Sequence, residues 1–143
     1  MVVKKETETQ VHLALIEYMT WNRIPHHHSP NELQLMGVVR QHLIGALGEA
    51  KGRQLAHAIA VRYAGRNKQL GTVTGWPDID LPKVPPNYPE STGAHLEVKS
   101  SSGRISQAQH DQLDILHGLG RRVAVVDSVE AGIAKLIAWG YCK

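Results

Sequence analysis

Four prolines fall between Pro82 and Gly93, and they govern what the second half of the chain can become. Each proline fixes φ near −65° and removes a backbone donor, so neither a helix nor a central strand can run through the segment. It reads as a loop. On its amino-terminal side Gly75-Trp76-Pro77 opens a stretch in which Asp78, Ile79, Asp80 and Leu81 alternate polar with apolar. On the other side Ala94, Leu96 and Val98 alternate with His95, Glu97 and Lys99. A period of two is the strand repeat, in which successive side chains point to opposite faces. The pattern predicts two short strands joined by the proline loop, with Asp78 on one face of the first and Glu97 and Lys99 sharing a face of the second.

Helical spacing dominates elsewhere. From Glu6 to about Trp21, Val11, Leu15 and Met19 recur every four residues, and Leu13 and Ile16 widen the stripe, which predicts a first helix. Pro25 closes it, and His26-His27-His28 before Ser29-Pro30-Asn31 reads as a short strand entering a turn. Leu33 to Leu70 mixes apolar and basic residues at helical spacing but is broken by Gly37, Gly45, Gly48 and Gly52. Two helical pieces are expected there, the second over about Lys51 to Tyr63. Ser106 can cap a helix to about Leu119 that places Gln109, Leu113 and Leu116 on one face. Arg121 to Val126 reads as a short buried strand, and Ser128 starts a last helix through Ile133, Leu136 and Ile137. This order predicts the α/β class: one domain over residues 1–143, a central mixed β-sheet flanked by helices, with a basic helical insertion at about 33–70.

With 42% hydrophobic residues in 143, the chain can bury a real core. Its single cysteine, Cys142, excludes an internal disulfide or a zinc knuckle and fits a reducing compartment. No apolar run approaches the roughly 20 residues of a membrane span, and the polar start lacks a signal peptide's apolar stretch. A cytoplasmic protein is expected, with no membrane partner. The net charge of +3 announces nothing, but its distribution is uneven. Arg40, Lys51, Arg53, Arg62, Arg66 and Lys68 face one acid, Glu49, whereas Asp78, Asp80, Glu90, Glu97, Asp111, Asp114, Asp127 and Glu130 follow Gly71. A phosphate-binding surface beside metal-binding carboxylates has this pattern, as does a basic helix face that is merely solvated.

Pairing the two strands brings Asp78 and Glu97 together with Lys99. Magnesium takes carboxylate, carbonyl and water oxygens and keeps several waters, so two acids and the Val98 carbonyl leave room for a phosphate and a nucleophilic water. An ammonium beside that water orients it and offsets charge building on phosphorus. Two more polar residues fall on faces that should be apolar. Glu8 shares the stripe of Val11 and Leu15, and Gln109 shares that of Leu113 and Leu116. Buried carboxylates and amides must be bonded or coordinated. Each residue taken singly also has an ordinary structural reading, and a helix-starting Glu simply suits the positive end of its own dipole.

The ordered run Glu8-x-Gln10, Pro30-Asn31, Gly75-Trp76-Pro77-Asp78, Leu96-Glu97-Val98-Lys99, Gly103-Arg104-x-Ser106-x-x-Gln109, Val123-Ala124-Val125-Val126 and Ser128-Val129-Glu130-Ala131 resembles the VRR-NUC nucleases of the PD-(D/E)xK superfamily. It is similar to their small, stand-alone phage or bacterial type. The resemblance implies a restriction-endonuclease-like domain in which Asp78, Glu97 and the Val98 carbonyl bind Mg²⁺ or Mn²⁺. It makes Lys99 the catalytic lysine, has Glu8 assist at the metal and has Gln109 complete the site. It also implies a homodimer that cuts branched DNA such as four-way (Holliday) junctions or flaps. Asn31, Arg53, Arg62, Arg66, Lys68 and Arg104 are the candidate DNA contacts. The span from Asn31 to Gly75 is longer than in compact relatives and holds the basic stretch.

The nine histidines add little to this reading. Adjacent residues of an extended segment point to opposite faces, so His26 to His28 cannot all reach one ion. His95 shares a face with Glu97 and Lys99, though at a strand start exposure is its simpler fate. Trp76 either packs under the Asp78 turn or stacks on a base. The expected activity is metal-dependent hydrolysis of DNA phosphodiesters. A noncatalytic DNA-binding or assembly module on the same fold, and an RNA-cleaving nuclease, are the alternatives.

Overall fold

A computed structural model describes residues 6–29 and 32–143. Its elements are α1 (Glu8–Trp21), β1 (His27–His28), α2 (Glu32–Leu47), α3 (Glu49–Gln69), β2 (Ile79–Leu81), β3 (Ala94–Val98), α4 (Gln107–Gly118), β4 (Arg122–Val126) and α5 (Val129–Trp139). They form two compact units, one holding α1, β1 and everything from Gly75 onward, the other holding α2 and α3.

The first unit is built on a four-stranded mixed sheet ordered β1-β2-β3-β4. β1, β2 and β3 run antiparallel, with Ile79 opposite Leu96 and Asp80 opposite His95, while β4 runs parallel to β3 with Val125 opposite Glu97. A parallel neighbour demands a crossover, and α4 supplies it. β3 is therefore interior, and all five of its residues are buried. Ala94, Leu96 and Val98 join Val11, Leu15 and Met19 of α1 and Leu136 and Trp139 of α5 in one apolar core. Gly132 lets α5 come close to α1, because a Cβ there would lie 2.5 Å from Leu15 Cδ2.

The elements lie close to where the spacing places them, and the differences are informative. β4 is only partly buried, and Val125 is 44% exposed. It is the last strand in the order, so among the described residues no strand pairs with its outer edge. His95 is not exposed but wholly buried, because a central strand is covered even at its first residues. α3 runs on past Tyr63 to Gln69, with Arg66 and Lys68 in its last turn, where cations suit the negative end of the helix dipole.

In the second unit α2 and α3 form a helical hairpin turned by Gly48 at φ +81°. Gly52 lies against the other helix so closely that a Cβ would sit 2.5 Å from Ile44 Cα. Among the described residues no helix is long and apolar enough to cross a membrane.

Candidate active site

Asp78 is placed by the glycine three residues before it. Gly75 has φ +83°, and a Cβ on it would lie 2.4 Å from the Ala108 carbonyl oxygen and 2.8 Å from Gln109 N. Only glycine permits that conformation at that distance, so the Gly75-Trp76-Pro77 turn rests on the first turn of α4. Asp78 then stands just ahead of β2 rather than within it. Its Oδ2 accepts from the Val98 amide at 2.9 Å, and its carbonyl accepts from Ser29 N at 2.8 Å. The first bond crosses to the end of β3, and the second ties in β1.

Glu97, 1% exposed, receives two donors on one oxygen. Lys99 Nζ lies 2.7 Å from Oε1, and Gln109 Nε2 donates to the same atom. The Gln109 amide is held at its other end by the cap of α4. Its Oε1 accepts from Ser106 N at 2.9 Å, while its own backbone N–H donates to Ser106 Oγ at 3.2 Å. One side chain thus closes a capping box and reaches into the sheet. Glu8 lies half-buried in the first turn of α1.

Charge in this cluster is unbalanced. Burial pushes the Glu97 carboxyl up to about 7; the hydrogen bond from Lys99 opposes this, and the neighbouring Asp78 charge adds to it. Burial works to lower Lys99, but its hydrogen bond to Glu97, the Glu97 charge, and those of Glu8 and Asp78 hold it above its ordinary value. Lys99 is therefore an ammonium at neutral pH, facing three carboxylates.

The structure thus gathers Glu8, Asp78, Glu97, Val98, Lys99 and Gln109 around the end of β3. His95, on the same face, belongs to a different group. Arg121 Nη2 grips Asp80 at 2.6 Å, and His95 Nδ1 stands 3.5 Å from the same oxygen. Burial, then the Arg121 charge, lower the His95 pKa to about 4 against the pull of Asp80. The ring is a neutral core piece, met edge-on by Trp76 at 5.5 Å. Trp76 itself is 40% exposed.

Of the candidate DNA contacts, Arg62, Arg66 and Lys68 are exposed on α3, and Arg104 is exposed between β3 and α4. Arg62 and Arg66, one turn apart, share a stripe. Arg53 pairs with Glu49 and, nine residues before Arg62, lies roughly half a revolution away at about 3.6 residues per turn. Asn31 lies outside the described residues. His12 was not singled out by its sequence context, yet it is buried beside this cluster. It follows Glu8 by one helical turn, the one signal that could have flagged it.

Among the described residues no three His, Cys, Asp or Glu side chains are grouped so that they could hold a metal ion by themselves. The candidate is instead a pair of buried carboxylates, Asp78 and Glu97, whose mutual repulsion a cation would relieve. Their donors are hard oxygens, which suit a hard divalent cation.

No family model and no curated protein matches the chain. A solved structure named "VRR_NUC domain protein" is similar to it with a TM-score of 0.63, covering 96% of this chain and 91% of its own, at 17% identity. The chain therefore has the fold of that VRR_NUC domain protein, an α/β architecture with a mixed sheet flanked by helices.

Proposed function

We propose that this protein is a Mg²⁺- or Mn²⁺-dependent endonuclease that hydrolyses DNA phosphodiesters, with branched DNA such as four-way junctions or flaps as its substrate. The reading is carried by one observation: a buried Glu97 joined to both Lys99 and Gln109, with the Asp78 carboxylate bonded to the amide between Glu97 and Lys99. The shared fold with a VRR_NUC domain protein supports it. Asp78, Glu97 and the Val98 carbonyl would hold the cation, with Glu8 assisting. When bound, a divalent ion supplies Lewis acidity toward a phosphoryl oxygen and lowers the pKa of water.

The chain's own residues do the rest. Lys99 presents an ammonium to the phosphate and to the attacking water, and so offsets negative charge as the P–O bond breaks. Gln109 fixes the Glu97 carboxylate, so the acid does not have to be ordered during reaction. Arg62 and Arg66 contact DNA phosphates and orient the duplex without reading its sequence. Arg53, Lys68, Asn31 and Arg104 are secondary candidates. A symmetric homodimer would present two such sites to opposed strands of a junction.

The test uses labelled four-way junction, flap, duplex and single-stranded DNA, and RNA, with Mg²⁺, Mn²⁺ or EDTA. Cation-dependent cutting of the branched DNA is expected, with Lys99→Ala and Asp78→Asn lowering the rate at least about 100-fold while binding persists. Arg62→Glu with Arg66→Glu should lower the slope of log affinity against log salt by about 1.8. Binding without cutting under every condition would select the noncatalytic module. Preferential RNA cutting would select the RNA nuclease.

A further inference from the structure

α1 carries Glu8 and His12 one turn apart, so both side chains lie along one side of the helix. His12 is 8% exposed, and its ring meets that of His28 edge-on, with centroids 4.5 Å apart. His28 precedes Ser29, whose amide binds the Asp78 carbonyl, and the Asp78 charge is felt at the His12 ring. His12 Nε2 is buried without a hydrogen-bond partner. A buried polar atom left so costs about 1–3 kcal/mol, and such atoms in native proteins are ordinarily met by water or a ligand. Among the described residues, the other atoms in this condition are both ring nitrogens of His95 and Arg121 Nε. Those belong to the cluster around Asp80. His12 Nε2 belongs to the ring on which the Asp78 charge acts.

We propose that His12 is a positioning residue whose Nε2 hydrogen-bonds a hydration water of the divalent cation held at Asp78 and Glu97. The inference rests on the metal-dependent reading above. Mg²⁺ surrenders its waters reluctantly, so a site with two carboxylates must also hold water molecules, and neighbouring groups fix them. A neutral imidazole suits that task, because it adds no positive charge to compete with the cation. Its unpartnered nitrogen is explained in the same step. The His28 ring then acts as a wall that stops His12 from turning away.

Groups that orient a metal's shell without touching the metal typically contribute 10- to 100-fold in metal affinity. Titration of the purified protein with Mn²⁺, followed by the electron paramagnetic resonance of the free ion and without DNA, reads this directly. His12→Phe keeps a ring in the space but removes both nitrogens, and should weaken Mn²⁺ binding 10- to 100-fold while melting in EDTA stays level or rises. His12→Gln should return affinity to within about threefold of the unmodified chain. In the unmodified chain, saturating Mg²⁺ should shift the ¹⁵N resonance of His12 Nε2, a measurement that does not depend on any variant folding. Mn²⁺ affinity unchanged in His12→Phe, or a ¹⁵N resonance unmoved by Mg²⁺, would overturn the proposal while leaving the metal reading standing. If the unmodified chain binds no Mn²⁺, the metal reading itself falls and this inference with it.

Discussion

Gln109 offers a substitution that separates charge from shape. Glutamate at the third helical position closes a capping box as well as glutamine does, so Gln109→Glu should keep the cap at Ser106. The amide nitrogen that donates to Glu97 becomes an oxygen. Two carboxylates then meet where Glu97 is 1% exposed. Like charges about 4 Å apart at an effective dielectric near 20 repel by about 4 kcal/mol. The chain can escape by binding a proton at Glu97, whose carboxyl is already raised to about 7, so keeping it protonated at pH 7.5 costs only about 0.7 kcal/mol, at about 1.36 kcal/mol per pH unit. Losing the neutral donor from residue 109 adds a hydrogen-bond contribution of about 1 kcal/mol. A loss of about 1–2 kcal/mol at pH 7.5 in EDTA is expected.

The sign follows from linkage. The carboxyl pair takes up its proton more tightly folded than unfolded, so its share of stability is intact below about pH 4 and is lost as pH rises through the folded value. Thermal melts of the variant and the unmodified chain in EDTA should nearly coincide at pH 4.5 and differ by roughly 5 °C at pH 7.5. Mg²⁺ or Mn²⁺ should close that gap, because an added carboxylate strengthens a cation's hold on the folded state. A melting deficit of equal size at both pH values would refute the reasoning and point to a broken helix cap. So would coincident melts at pH 7.5.

The same electrostatics predict that Glu97→Gln stabilises the metal-free protein. With the folded pKa raised to about 7, the unmodified chain loses stability between about pH 4.5 and 7, so the gain should be absent at pH 4 and reach about 1–3 kcal/mol at pH 7.5; a gain that does not vary with pH would count against this. In the helical hairpin, Gly52→Ala puts a Cβ 2.5 Å from Ile44 Cα and 2.8 Å from the Leu43 carbonyl carbon, backbone atoms that cannot turn aside. It should cost about 1–2 kcal/mol even though alanine favours helix, whereas Gly65→Ala, with nothing within 4 Å, should gain up to about 1 kcal/mol; amide exchange across α2 and α3 distinguishes the two.

How much could be read from the chain depends on how local the cause is. The ends of β2 and β3 were legible because the prolines between them forbid any other structure, and period two then put Glu97 and Lys99 on one face. Ser106 was legible as a cap because capping involves residues three apart. His95 was not, since its burial comes from Trp76, Arg121 and the interior place of β3, none of which a strand's own alternation records. β4 misled for the opposite reason: an apolar run reads as buried whether or not a neighbour covers it, and here no strand among the described residues lies beyond it. His12 stayed hidden because its relevance depends on the His28 ring and the Asp78 charge, which are brought near it only once β1 pairs with β2.

The charges around Lys99 also explain why residue 109 carries an amide. Glu8, Asp78 and Glu97 act together on one ammonium, which leaves two negative charges uncompensated when all three acids are ionised. Burial raises Glu97 toward neutrality, with the Asp78 charge adding to it, whereas the hydrogen bond to Glu97 and the charges of all three acids hold Lys99 charged, so the two shifts share Asp78 but not their main cause. A further acid at position 109 would deepen the excess. A further base there would halve it and weaken any attraction for a doubly charged cation. Glutamine gives Glu97 a donor with no formal charge and leaves the imbalance in place. The folded chain therefore tolerates an electrostatic tension that apolar packing at Leu96 and Val98 must outweigh, and on the proposed reading a divalent ion would relieve it.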